Sequence, residues 1–150
     1  MMTEGGCLCG AVSVTVAGDT WLTMQCHCTD CRRAVGGGPA YIAMVAREDV
    51  TLQGALSRYT VTGASGGAVT RHFCPVCGTP THSELEKYPD KLVLKVGLFA
   101  PDTPCAPSMA IWVASAPDWH PIPESIPRFE LGPKPPGRQL TTPAAQGDGG

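Results

Sequence analysis

Seven cysteines fall into three tight groups, Cys7-Leu8-Cys9, Cys26-His27-Cys28-Thr29-Asp30-Cys31 and Cys74-Pro75-Val76-Cys77-Gly78. No other feature limits so strongly what the chain can fold into. An eighth cysteine, Cys105, stands alone among Pro104, Ala106 and Pro107, looks like an unpaired loop thiol and is left without a role. Eight cysteines in 150 residues admit either a disulfide framework or metal sites. The first residues, Met1-Met2-Thr3-Glu4-Gly5-Gly6, carry neither the basic start nor the apolar core of a secretory signal. No apolar run approaches the ~20 residues of a membrane span. A soluble, cytoplasmic protein is expected, and in a reducing cytosol clustered thiols bind metal or do redox chemistry.

The third group is the most specific. In Cys-Pro-x-Cys-Gly a tight turn aims two sulfurs at one ion, and the glycine permits the left-handed backbone that turns amide N–H groups toward them. A redox Cys-x-x-Cys instead needs a helix starting at the motif, and Gly78-Thr79-Pro80 starts none. A closed zinc site takes four ligands, so Cys7 and Cys9 are the expected partners of Cys74 and Cys77. On an extended chain residues i and i+2 share a face. The bland reading makes Cys7 and Cys9 small buried apolar residues.

Cys26, Cys28 and Cys31 offer three ligands within six residues. Three protein ligands leave a tetrahedral position open, as catalytic sites do, and an incoming thiol there loses its proton. The alternative is a site closed by His27, His72, His82, His120 or Cys105. His27 is expected to point away from the metal. Asp30, Arg32 and Arg33 flank the group and could bind an anionic substrate such as a carboxylate.

Gly 18 and Pro 15 are spread without a period, which suits short strands and tight turns better than long helices. With 43% hydrophobic residues to build an interior, a mainly β domain is expected. Residues 10–17 alternate with period two, and similar runs occur at 41–46, 50–53, 57–62, 69–73, 92–96 and 110–114. Short helices are expected after Asp30 and around Glu84–Lys87. Trp112, Trp119 and Phe129 read as packing residues. A net charge of −2, with no basic run beyond Arg32-Arg33, argues against nucleic acid as a partner. The domain is placed at residues 4–131, followed by a loose Pro/Gly-rich tail over 132–150.

Taken together, Gly6-Cys7-x-Cys9-Gly10, Cys26-His27-Cys28-x-x-Cys31-Arg32 and Arg71-x-Phe73-Cys74-x-x-Cys77-Gly78 resemble the glutathione-dependent formaldehyde-activating enzyme family, which includes centromere protein V-like proteins. The segment from Ile111-Trp112 through Ile126-Pro127-Arg128-Phe129 also looks like that family. The resemblance implies a Mss4-like fold of several short coiled antiparallel β-sheets. It implies a structural zinc at Cys7, Cys9, Cys74 and Cys77. A second zinc, catalytic or labile, is implied at Cys26, Cys28 and Cys31, where the sulfur of glutathione acts. The implied reaction joins glutathione to formaldehyde as S-hydroxymethylglutathione, a carbon–sulfur lyase reaction in reverse. The rival functions are a zinc-stabilised binding module and a labile-zinc or redox protein. Gly36-Gly37-Gly38-Pro39 departs from the larger residues expected beside the second site.

Overall fold

A computed structural model describes residues 1–132, so nearly all of the expected tail lies outside the described residues. The strands and the α-helix follow in the order β1 Met2–Gly6, β2 Ser13–Ala17, β3 Leu22–Cys26, α1 Thr29–Val35, β4 Ala40–Ala46, β5 Val50–Gln53, β6 Ser57–Thr62, β7 Ala68–Phe73, β8 Pro80–Leu85, β9 Lys91–Lys95 and β10 Met109–Ile111. The mainly β expectation holds. The chain gathers into two compact units, one of residues 1–22 and 42–105, the other of residues 23–41 and 106 onward.

In the first unit, β2 lies between β1 and β5, antiparallel to both. Val14 and Val16 alternate with polar neighbours and turn inward. They meet Val45, Leu92, Leu94, Leu98, Phe99 and Cys105 in the core, where each fully buried aliphatic side chain contributes roughly 1.5–3 kcal/mol. Cys105 is the unpaired loop thiol expected, but it is buried in this core, and burial pushes its pKa up. A second antiparallel run in this unit joins β4 to β9, β9 to β8, β8 to β7 and β7 to β6. A bulge between His72 and Phe73 breaks the β7–β8 register immediately before Cys74. Such a bulge re-aims the strand end, and the Cys74–Gly78 turn begins there.

In the second unit β10 runs parallel to β3, with Met109 opposite Met24 and Ile111 opposite Cys26. The Ser108 hydroxyl donates to the Thr23 carbonyl at 2.8 Å, and the His27 N–H donates to the Ile111 carbonyl at 3.0 Å. These bonds fix the chain on either side of Cys26. Phe129 is buried as expected, whereas Trp119 is exposed. Trp112 adopts φ 57°, a left-handed conformation uncommon for a bulky residue; its N–H donates to the Leu131 carbonyl at 2.8 Å.

The expected helix near Glu84–Lys87 is not formed. Glu84 and Leu85 end β8, held by pairing with β7 that overrides the helix-forming character of those residues. Strands β1, β3 and β8 add to the expected set. Among the described residues no helix is long and apolar enough to cross a membrane.

Candidate metal centres

Two backbone turns build the first cluster. After β1, the Gly10 N–H donates to the Cys7 carbonyl at 3.1 Å and the Cys7 N–H to the Val12 carbonyl at 3.0 Å. Gly10 has φ 84°, which a Cβ would penalise. Cys7 and Cys9 thus sit on a tight turn, not on the extended chain the spacing suggested. After β7, the Gly78 N–H donates to the Cys74 carbonyl at 2.9 Å, with Gly78 at φ 77°. This is the left-handed glycine that Cys-Pro-x-Cys-Gly called for. The turns meet: the Leu8 N–H donates to the Thr79 hydroxyl at 3.1 Å.

The ligand atoms of Cys7, Cys9, Cys74 and Cys77 lie within 4.8 Å of one another. Sulfur–sulfur separations are 3.7 Å for Cys7–Cys9 and 3.8 Å for Cys9–Cys74. These are far beyond a disulfide, ~2.05 Å. They match the ~3.8 Å edge of a tetrahedron whose metal–sulfur bonds are ~2.3 Å. The donor set and its spacing therefore fit a zinc-type ion. Amide N–H groups point at the sulfurs, from Val12 to Cys7 at 3.2 Å and from Val76 to Cys74 at 3.4 Å. Such bonds favour thiolates.

Four thiols without a cation share protons unequally. Hydrogen bonds from the Thr79 hydroxyl and its backbone N–H lower Cys77 to about 5. For Cys7, burial and Cys77 raise the pKa, but the Val12 N–H with Cys9 and Cys74 outweighs them and the net shift is downward. Cys9 gains from a backbone bond at Ala11, yet burial and the other three sulfurs push it up to about 11. A bound cation removes the protons that remain.

The second cluster is local. Cys26 ends β3, Cys28 is the N-cap of α1 and Cys31 lies in its first turn. The Cys28 sulfur accepts from the Cys31 N–H at 3.2 Å, a side-chain cap in which sulfur replaces the usual oxygen. Gly36 closes the helix at φ 80°, ψ 25°, its N–H donating to the Arg32 carbonyl at 2.9 Å. The three cysteine ligand atoms lie within 4.8 Å of one another. Among the described residues no fourth Cys, His, Asp or Glu joins them. Contacts with Cys28 and Cys31, followed by burial, drive Cys26 strongly upward. Cys26 pulls Cys28 down, but Cys31 and burial prevail and raise it. A redox Cys-x-x-Cys needs the opposite, a depressed first thiol, although Cys28-Thr29-Asp30-Cys31 has that spacing at a helix start.

The histidines named as alternative fourth ligands go elsewhere. His27 is fully buried, and its Nε2 meets the Gln25 side-chain oxygen at 3.0 Å. That oxygen only accepts, so Nε2 carries the proton. The His120 ring packs 5.6 Å from it. Burial first, then His120 and Arg32, hold His27 down at about 4. His120 also faces the Tyr41 hydroxyl, 3.3 Å from its Nε2. A Cβ at Gly38 would sit 3.3 Å from His120 Nδ1, so the glycine run makes room for this ring. His72 and His82 lie with Glu84 in a separate group; burial, then His72, lowers His82 to about 4. Asp30 and Arg33 are exposed, while the buried Arg32 Nε has no hydrogen-bond partner.

Two supports escaped the sequence reading. Thr79 follows the knuckle glycine and bonds both Leu8 and Cys77. Gly54, at φ 106°, lies where a Cβ would approach the Ala11 carbonyl oxygen to 2.1 Å. A hydroxyl one residue after Cys-x-x-Cys-Gly is a signal that sequence alone carries; the Gly54 contact is not.

Short antiparallel strands and two thiol clusters define a mainly β protein whose cysteine groups have the spacing to hold metal ions. The family model for the glutathione-dependent formaldehyde-activating enzyme matches residues 2–115. The chain belongs to that family. A Halomonas elongata protein named "Putative glutathione-dependent formaldehyde-activating enzyme" is 26% identical over 125 residues, covering 79% of this chain and 80% of its own. A crystal structure of a Rhodobacter sphaeroides protein is similar at a TM-score of 0.53 and 26% identity. It covers 67% of this chain and 91% of its own.

Proposed function

We propose that residues 4–131 form a zinc-dependent enzyme that adds the thiol of glutathione to formaldehyde, or acts on a related thiol–aldehyde adduct. Its Cys7, Cys9, Cys74 and Cys77 hold a structural zinc, and Cys26, Cys28 and Cys31 hold a second, functional one. The observation that carries this reading is the three-sulfur cluster with no fourth protein ligand among the described residues. Zn2+ bound there supplies a cationic partner that favours an incoming thiol as thiolate. The reaction balances without a redox partner. A carbon–sulfur bond forms between glutathione and the aldehyde carbon, the carbonyl π bond becomes the C–O−, and the thiol proton ends on that oxygen. Read backwards, this is carbon–sulfur lyase chemistry.

The chain's own residues orient the reactants. The Cys31 N–H holds the Cys28 sulfur, and the Gln25 side chain holds the His27 ring beside His120. Arg32, with its unbonded Nε, offers a guanidinium suited to a carboxylate of glutathione. Thiolate attack on formaldehyde needs little chemical assistance, so positioning is the main contribution.

The test is the initial rate of adduct formation from glutathione and formaldehyde, with wild type and Cys28→Ser compared against buffer. Wild type accelerates the reaction and Cys28→Ser does not. Wild type equal to buffer discards formaldehyde as the substrate. Zinc content before and after glutathione dialysis separates the rival reading: two ions retained throughout indicate a closed binding module.

A further inference from the structure

Apart from the thiols, the β7–β8 register gathers a second kind of donor. His72 on β7 stands directly opposite His82 on β8. Glu84 follows His82 by two residues on the same face of β8. The two imidazoles stack with centroids 4.3 Å apart and planes 4° from parallel. Glu84 Oε1 lies 3.0 Å from His72 Nε2 and 3.9 Å from His82 Nε2. The other carboxylate oxygen accepts from Arg47 Nη2 at 3.0 Å, and Arg47 Nε donates to the Pro89 carbonyl at 2.8 Å. One oxygen is thus tethered, and the other is turned to the histidines.

Hydrogen bonding fixes which ring nitrogen is basic. The Thr81 hydroxyl donates its one proton to the His72 carbonyl at 3.1 Å. Facing His82 Nδ1, also at 3.1 Å, it must accept. His82 Nδ1 therefore carries the proton, and Nε2 presents a lone pair. His72 Nε2, buried beside the same carboxylate oxygen, has no aligned hydrogen bond. A nitrogen lone pair and a carboxylate oxygen turned to one point repel unless a cation lies between them. Their separations of 3.0 and 3.9 Å bracket the ~3.3 Å edge of a tetrahedral site with bonds of 2.0–2.2 Å.

We propose that His72, His82 and Glu84 form a third metal site, distinct from the cysteine clusters, for a divalent cation of the zinc class. Two imidazoles and one carboxylate are a donor set such ions accept, with water completing the shell. Arg47 and Thr81 act behind the ligands, orienting the carboxylate and fixing the His82 tautomer. Because the rings are stacked, binding tilts them apart.

The test titrates Zn2+ alone into full-length protein whose cysteine sites are already filled and whose excess metal has been removed. Calorimetry follows uptake, and long-range 1H–15N spectra follow the histidine rings. One further equivalent binds, and the Nε2 resonances of His72 and His82 both shift. Glu84→Gln, which keeps the side-chain shape and is partly exposed, weakens that uptake by about tenfold or more. If the ring resonances of wild type do not move on zinc addition, the group is a buried histidine–carboxylate ion pair and the proposal is overturned. Uptake equal in wild type and Glu84→Gln overturns it too.

Discussion

Emptying the four-sulfur cluster is expected to destabilise the protein far more than emptying the three-sulfur cluster. The reason is geometric. Cys9 and Cys74 are 65 positions apart in sequence, so an ion bound by both closes a long loop that the unfolded chain otherwise explores freely. The loop-closure relation for a cross-link of that span gives about 4 kcal/mol at room temperature. Cys26, Cys28 and Cys31 lie within six residues, for which the same relation gives only about 2 kcal/mol. Against a total stability of roughly 5–15 kcal/mol the first loss is large. Urea unfolding of zinc-loaded and chelator-treated protein measures it: at a slope of ~2 kcal/mol per molar, the wild-type midpoint falls by about 3 M when both clusters are emptied, about 2 M of it from this cluster. Cys74→Ser starts at the lower midpoint and responds to chelator only by the smaller amount. Cys28→Ser keeps most of the wild-type response. A wild-type midpoint indifferent to chelator, or a full chelator response surviving in Cys74→Ser, refutes the assignment of this cluster as the fold's metal cross-link.

Other perturbations test the supports. Gly54→Ala places a Cβ 2.1 Å from the Ala11 carbonyl oxygen at φ 106°, beside the Val12 N–H that holds Cys7. A loss of about 2 kcal/mol or more, with reduced zinc retention, is expected, whereas Gly10→Ala, with nothing within 4 Å of its Cβ, costs only the ~1–2 kcal/mol of a left-handed residue. Thr79→Val removes the hydroxyl that lowers Cys77, so thiolate absorbance of the metal-free protein shifts to higher pH; an unchanged titration contradicts that role. In metal-free protein His27 and His82 titrate near 4, against an ordinary 6.5. As pH falls below 6.5 the unfolded chain takes up protons first, so stability is lost between pH 6.5 and 4 and is fully present above that window. Ring-proton spectra check it, a midpoint near 6.5 for either histidine being the contrary result.

What the sequence revealed, and what it hid, follow from the range of the interactions concerned. Strands β5 and β6 begin and end where side-chain alternation and glycine turns put them. Strand β3 escaped because four of its five residues are buried, leaving no alternation to read. Glu84 and Leu85 read as helix-forming until cross-strand pairing to β7 claimed them. Ligand spacing within each thiol group is local and was legible. The union of Cys7 and Cys9 with Cys74 and Cys77 is not local, and it was inferred only because zinc takes four ligands. No such counting rule exists for Gly54 against Ala11, or for His72 against His82, where register alone creates the contact.

The two thiol clusters therefore differ in the work their backbone does. The Cys7 and Cys74 turns are each closed by a left-handed glycine and tied together through Thr79, so ligands from distant strands arrive already oriented. The second cluster takes all its ligands from one strand end and one helix start. It closes no long loop, and an ion held only there is free to be exchanged or displaced without unfolding the domain. Long span favours permanence and short span favours access. That difference in span adds to the missing fourth ligand among the described residues as a reason for the proposal that an incoming thiol acts at Cys26, Cys28 and Cys31.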